Sequence, residues 1–165
     1  MGNQKNLLHL EPHTHSRRFD IFRTLPSYSP MKIIFKKELF EKMKNHAVKE
    51  SPNESCGIIA GTGEIAQKIY EMANTSQNPQ TCYFMDPKEQ LKIFKEMRKE
   101  GLELLGIYHS HINLPAYPSK RDVELANYPD AFYVIIRVDE KEVKEIRAFK
   151  IMEGKIEEAE IYVEE

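Results

Sequence analysis

Cysteine is nearly missing from this chain: Cys56 and Cys82 are the only two. Two thiols cannot build a disulfide framework, and neither stands in a C-x-x-C pair. Long apolar runs are missing as well; none approaches the ~20 residues of a membrane span. The N-terminus carries no hydrophobic signal core, so the cytoplasm is the expected compartment. There is no excess of one charge either. A net charge of −2 offers no basic field to nucleic acid or to a membrane surface. Internal repeats are absent. What is present is 41% hydrophobic and 30% charged residues, with eight Phe and eight Tyr. A chain of 165 residues with that content is expected to fold as one domain around one core.

Residues 1–30 stand apart. They hold three of the nine prolines (Pro12, Pro26 and Pro30), three of the six histidines and no clear periodicity. They read as a flexible N-terminal extension, and Met31, which opens a regular pattern, is a candidate start of its own. Ile33 to Phe35 predicts a short strand. Leu39, Phe40, Met43 and Ala47 then recur at helical spacing, predicting an amphipathic helix over 37–50. Ser51-Pro52-Asn53 stops it. The apolar run from Cys56 to Gly61 suits a buried strand, Thr62-Gly63 a turn, and Ile65 to Met72 the returning strand. Asn74 to Gln80 reads as a loop and Thr81 to Met85 as extended. Asp86-Pro87-Lys88-Glu89 combines Asp at the N-cap, Pro at N1 and Glu at N3, a strong helix start. That helix should end at Gly101. Leu102 to His109 predicts a strand and Ser119-x-x-Asp122 a further short helix. Three strands follow over 131–138, 143–152 and 156–163. The sum is an α/β domain over 31–165, with roughly eight strands, two main helices and one short one.

The chemistry concentrates in Gly106 to Asp122, which reads G-I-Y-H-S-H-I-N-L-P-A-Y-P-S-K-R-D. An extended H-x-H points both imidazoles, His109 and His111, to one face of a strand, because side chains alternate with period two. Asp122, in the first turn of the next helix, is well placed as a third ligand. Two imidazole nitrogens and one carboxylate oxygen suit Zn²⁺ and leave a fourth position open, which is the mark of a catalytic site. Taken alone, H-x-H is a weak signal. The chain carries its own decoy in His13-Thr14-His15, eleven residues after which stands Pro26, which cannot be a ligand. S-x-x-D alone is more often a plain helix cap. The two patterns at this spacing, behind a buried strand, are much more specific together. Cys56 and Cys82 read as small hydrophobes rather than nucleophiles.

His109, Ser110, His111, Ser119 and Asp122 spell H-S-H-x7-S-x2-D, which resembles the JAMM motif of the MPN-domain metalloprotease family. The segment Pro52-Asn53-Glu54-Ser55-Cys56-Gly57 resembles the family's upstream glutamate segment, and Phe84 to Pro87 and Tyr128 to Ala131 resemble its compact prokaryotic branch. The resemblance covers roughly residues 31–165. It departs at Ile112, where many members have proline. It implies a single mixed-sheet, cytidine-deaminase-like domain flanked by helices, and a zinc hydrolase. In that reading His109, His111 and Asp122 hold Zn²⁺. Glu54 serves as general base and then acid, and the Ser119 hydroxyl stabilises the oxyanion. Ser119 is also an N-cap, worth ~1 kcal/mol, and the two roles are compatible. Ser110 should face the other way and give structural support.

The implied substrate is a peptide or isopeptide bond after the C-terminal Gly-Gly of a ubiquitin-like or sulfur-carrier protein, entering an extended groove. Asn74 to Met85 and Asn113 to Pro118 are the candidate groove segments. Only Val123 to Asp130 separates Asp122 from the next strand, too little for the insertion that eukaryotic relatives use to select ubiquitin chains. Two other classes compete: a non-catalytic MPN scaffold that binds a ubiquitin-like partner, and a DNA-repair-associated relative. The intact ligand set speaks against the first. The absence of a glycine in Ile112-Asn113-Leu114 and of a basic patch speaks against the second.

Overall fold

A computed structural model describes residues 30–165. The N-terminal extension and the His13–His15 pair lie outside the described residues. The elements run β1 (Lys32–Lys36), α1 (Lys37–Glu50), β2 (Cys56–Thr62), β3 (Ile65–Met72), α2 (Pro87–Lys99), β4 (Glu103–Ile112), α3 (Lys120–Glu124), β5 (Phe132–Asp139), β6 (Glu142–Met152) and β7 (Lys155–Glu164).

The seven strands follow the order β1-β3-β2-β4-β5-β6-β7, and the sheet closes on itself. β7 pairs in parallel with the whole of β1, whereas β1 reaches β3 through one pair, Ile34 with Ile65. The rest of the β3 edge lies under α1, where the Lys42 ammonium donates to the Ile69 carbonyl at 3.0 Å. Seven strands rather than eight are found among the described residues because Thr81 to Met85 pairs with no described strand. It is held instead by single bonds such as Thr75 N–H to the Phe84 carbonyl, 2.8 Å.

Both faces of the central strands are covered, which explains their unbroken apolar runs. Along β5, Val134, Ile136 and Val138 join one core with Met43 and Ala47 of α1. Tyr133 and Ile135 point the other way and join Ile93 and Met97 of α2 in a second core. The helices follow from their spacing: α1 buries Met43, His46 and Ala47, and α2 buries Ile93 and Met97. No described helix is long and apolar enough to cross a membrane.

β4 is the strand that positions the site. It runs antiparallel to β2 on one side and parallel to β5 on the other. Antiparallel pairing brings the head of β2 beside the end of β4. The parallel crossover to β5 makes α3 start just past that same end. One close approach at this junction requires glycine. The Tyr108 ring crosses Gly57, where an added Cβ would lie 2.3 Å from a ring carbon. From there the Tyr108 hydroxyl meets His46 Nδ1 at 2.8 Å inside the core.

Candidate metal centre

β4 extends past both histidines, to Ile112, and so keeps His109 and His111 on one face. Both are buried, at 1% and 5% exposure. Their Nε2 atoms stand 3.0 Å apart. α3 opens on Ser119, whose hydroxyl oxygen accepts the Asp122 N–H at 3.2 Å, while Asp122 Oδ2 accepts the Ser119 N–H at 2.7 Å. This reciprocal box fixes the carboxylate and turns it to the histidines. Asp122 Oδ1 lies 3.3 Å from His109 Nε2, and Oδ2 lies 3.4 Å from His111 Nε2.

These three residues form a group whose ligand atoms all fall within 4.8 Å of one another. Donors that meet on one tetrahedral ion at bonds of about 2.0–2.1 Å are separated by roughly 3.3 Å. The Nε2–Nε2 distance of 3.0 Å and the distances from each Nε2 to its nearest carboxylate oxygen, 3.3 and 3.4 Å, are close to that spacing, so the two-imidazole, one-carboxylate donor set fits a zinc ion. The tautomers fit as well. His111 Nδ1 lies 2.8 Å from the Pro115 carbonyl, which can only accept, so Nδ1 carries a proton and Nε2 is the ring atom left to meet an ion. His109 Nδ1 is buried with no hydrogen-bond partner among the described residues. Its ring is held by stacking on Tyr83, with centroids 4.6 Å apart and planes at 26°.

Glu54 completes the constellation. The β2–β4 register pairs Cys56 with His109. One step further, Ser55 N–H donates to Ser110 Oγ at 2.7 Å and Ser110 N–H to the Ser55 carbonyl at 3.0 Å. Continuing that register sets Glu54 opposite His111, on the face shared by the two histidines. Ser110 points to the opposite face and braces the strand pair, as its position between the histidines predicts.

The comparisons agree with this architecture. The family model described as prokaryotic homologues of the JAB domain matches residues 36–152. The chain belongs to that family. A CysO-cysteine peptidase of Mycobacterium tuberculosis is 34% identical over 135 residues, 81% of this chain and 92% of the relative. A probable TtuB-protein conjugate cleaving protease of Thermus thermophilus is 39% identical over 116 residues, 70% of this chain and 74% of the relative. The solution structure of protein DSY2949 from Desulfitobacterium hafniense superposes with a TM-score of 0.72 at 36% identity, covering 81% of this chain and 93% of that one. The JAMM/MPN resemblance of the motif and the mixed α/β fold are therefore both met in a JAB-domain protein of the compact prokaryotic branch.

Within this JAB domain the two acidic side chains are tuned in opposite directions. Burial pushes the Glu54 carboxyl up to about 7, with His111 opposing the rise and Asp122 adding to it. Burial also pushes Asp122 up, but hydrogen bonds from His109 and His111 outweigh it and hold the carboxyl well below the usual range. Burial lowers His109. For His111 the bonds to Asp122 and to Pro115 overcome burial and raise it.

The cysteines divide. Cys56 is fully buried, and burial, with Glu54 nearby, pushes its thiol up to about 12, far from a thiolate nucleophile. Cys82 is not a core hydrophobe: it is half-buried, 2.8 Å from Ser76 Oγ, and lines the cleft over the site. The two expected groove segments both reach this cleft, through Thr81 to Tyr83 and through Leu114, and Arg121 and Leu125 also line it. Tyr83 and the Pro115 carbonyl escape sequence reasoning. An aromatic in a loop gives no sign of what it stacks on, and a carbonyl that orients a histidine carries no residue signature.

Proposed function

We propose that the protein is a zinc-dependent peptidase that cleaves the bond after the C-terminal Gly-Gly of a ubiquitin-like or sulfur-carrier protein. The observation that carries the reading is Glu54. It is a carboxyl only 3% exposed, raised to about 7, on the same face as three converging metal-type donors. A structural acid in that position would cost stability with no return, whereas a general base operating near neutrality needs such a value. The relatives support the substrate class, one being named for a cysteine adduct of CysO and one for TtuB–protein conjugates.

His109, His111 and Asp122 would hold the ion. When bound there, zinc supplies Lewis acidity at neutral pH. The Glu54 carboxylate takes a proton from the attacking water and returns it to the leaving amine. The Ser119 hydroxyl, whose oxygen already accepts the Asp122 N–H, keeps its own hydrogen free to donate to the oxyanion. The small cleft that Tyr83 and Leu114 help to line suits a thin glycine tail.

The test is cleavage of a Gly-Gly-linked carrier fusion by the zinc-loaded protein, with a chelator control. Glu54→Gln should keep one zinc per chain and stop hydrolysis. Full activity in that variant would remove Glu54 from the mechanism, and chelator-resistant cleavage would remove the metal.

A further inference from the structure

Asn74 lies in the loop after β3, half-buried and not one of the metal-type donors. Its side chain nevertheless touches both segments that frame them. Asn74 Nδ2 donates to the Glu54 carbonyl at 2.9 Å, to the Cys82 carbonyl at 3.0 Å and, more weakly, to the Pro79 carbonyl at 3.3 Å. Asn74 Oδ1 accepts the Ser76 N–H at 3.0 Å and the Phe84 N–H at 3.1 Å. All of the amide's hydrogen-bonding capacity is engaged. Only one orientation satisfies the network, because turning the amide over would set its oxygen against three carbonyls and its NH₂ against two N–H groups.

The partners are the significant part. Glu54 is gripped on both sides of its Cα by this loop. Its carbonyl receives Asn74, and its N–H donates to the Pro79 carbonyl at 2.7 Å, the same carbonyl that Asn74 reaches. The Cys82 carbonyl and the Phe84 N–H flank Tyr83, the residue whose ring stacks on His109. One amide therefore ties the backbone of Glu54 to the backbone around Tyr83. No regular secondary structure could do this, since the segment 73–86 pairs with no strand.

We propose that Asn74 is a positioning residue, which sets the place of the Glu54 carboxylate and of the Tyr83 ring relative to His109. The proposal rests on Glu54 acting as the general base. Asn74 touches no reacting atom; it acts through the backbone it holds. Burying an amide is favourable only when its partners are met, and here they are met by two site segments at once.

Asn74→Asp separates this role from general loop stability. It preserves an acceptor for the Ser76 and Phe84 N–H groups and removes the donor to Glu54, Pro79 and Cys82. Ser76→Ala is the control within the loop, since the Ser76 hydroxyl meets Asn78 and Cys82 but not Glu54. Asn74→Asp should lower kcat about 10- to 100-fold, the usual loss when a supporting hydrogen bond is removed, with KM within about twofold. It should keep one zinc per chain. Ser76→Ala should keep kcat. In the metal-free protein, amide hydrogen exchange at Glu54 should quicken about tenfold in Asn74→Asp while that at Phe84 stays put.

A kcat within about twofold of the unsubstituted protein overturns the proposal. So does a fall that tracks lost zinc, or one shared by Ser76→Ala, since either means loop stability alone. Unchanged exchange at Glu54 overturns the grip itself. If the unsubstituted protein cleaves no Gly-Gly fusion, the peptidase reading fails on its own, and the exchange contrast still decides whether Asn74 holds Glu54.

Discussion

Two helices in this molecule begin with the same device and use it differently. α2 starts at Asp86, whose carboxylate accepts the N–H groups of Lys88 and Glu89 at 2.8 and 3.0 Å. It runs for 13 residues and buries Ile93 and Met97. α3 starts at Ser119 with a reciprocal box to Asp122, runs for 5 residues and buries none. A helix that short is not stable on its own propensity. A cap on α2 secures an amphipathic helix that the core requires. A cap on α3 secures no buried residue, and only Val123 packs against the edge of the core. What it holds is the direction of one carboxylate, which lies 3.3 and 3.4 Å from the two histidines. A side-chain cap is thus read by the length and burial of the helix behind it. Behind a long one it is structure, and behind a stub it is site geometry.

That contrast can be broken most forcefully at Asp122. Asp122→Ala should drop zinc from one per chain to near none and cut hydrolysis by a thousandfold or more, on the order of what a catalytic metal supplies. Metal analysis beside a cleavage assay reads both, and an unchanged stoichiometry would sink the ligand role. Ser119→Ala comes next. Losing an oxyanion donor costs about 10²-fold in kcat, and zinc should remain bound. If melting temperature falls and kcat does not, Ser119 is a cap and nothing more.

The pH dependence has a smaller reach. Glu54 must be ionised to accept a proton, and burial raises its carboxyl to about 7. Activity is therefore present above that value and is lost as pH falls through it, by up to about tenfold per pH unit. A cation beside the carboxylate moves the midpoint down, so kcat/KM of the zinc-loaded protein should show an acid limb at or below about 7. A limb well above it would assign the proton transfer to another group. Asp86→Ala should have the smallest effect on chemistry. It costs about 1 kcal/mol of stability, some 2–4 °C in melting temperature for a domain of this size, with zinc content and kcat untouched. A kcat loss there would erase the distinction between the two helix starts.

Much of this was legible from residue spacing. The bounds of α1 follow from Leu39, Phe40, Met43 and Ala47, and the start of α2 from Asp86-Pro87. Period-two alternation puts His109 and His111 together, and a helix start puts Asp122 within reach. Glu54 was a different matter. Nothing in its local sequence tells it from a strand-entry acid, and only the family resemblance singled it out. Its place opposite His111 depends on a strand register set more than fifty residues away. Thr81 to Met85 read as extended because Tyr83 and Phe84 favour strands. A strand also needs a neighbour, and β3 ends at Met72. Closure of the sheet through β7 and β1 leaves no local mark at all. Pro115 and Asn74 act through or upon carbonyl groups, which every residue possesses.

The junction of β2 and β4 bears on when the protein can become active. The Ser55–Ser110 bonds that align Glu54 with His111 join residues 55 apart in the chain. Contacts of that separation form late in folding, after the loop between them has been closed. A nascent or partly unfolded chain therefore contains every residue of the site and none of its geometry. In the proposed reading, the alignment of Glu54 with the two histidines arrives together with the finished fold, not with the residues themselves.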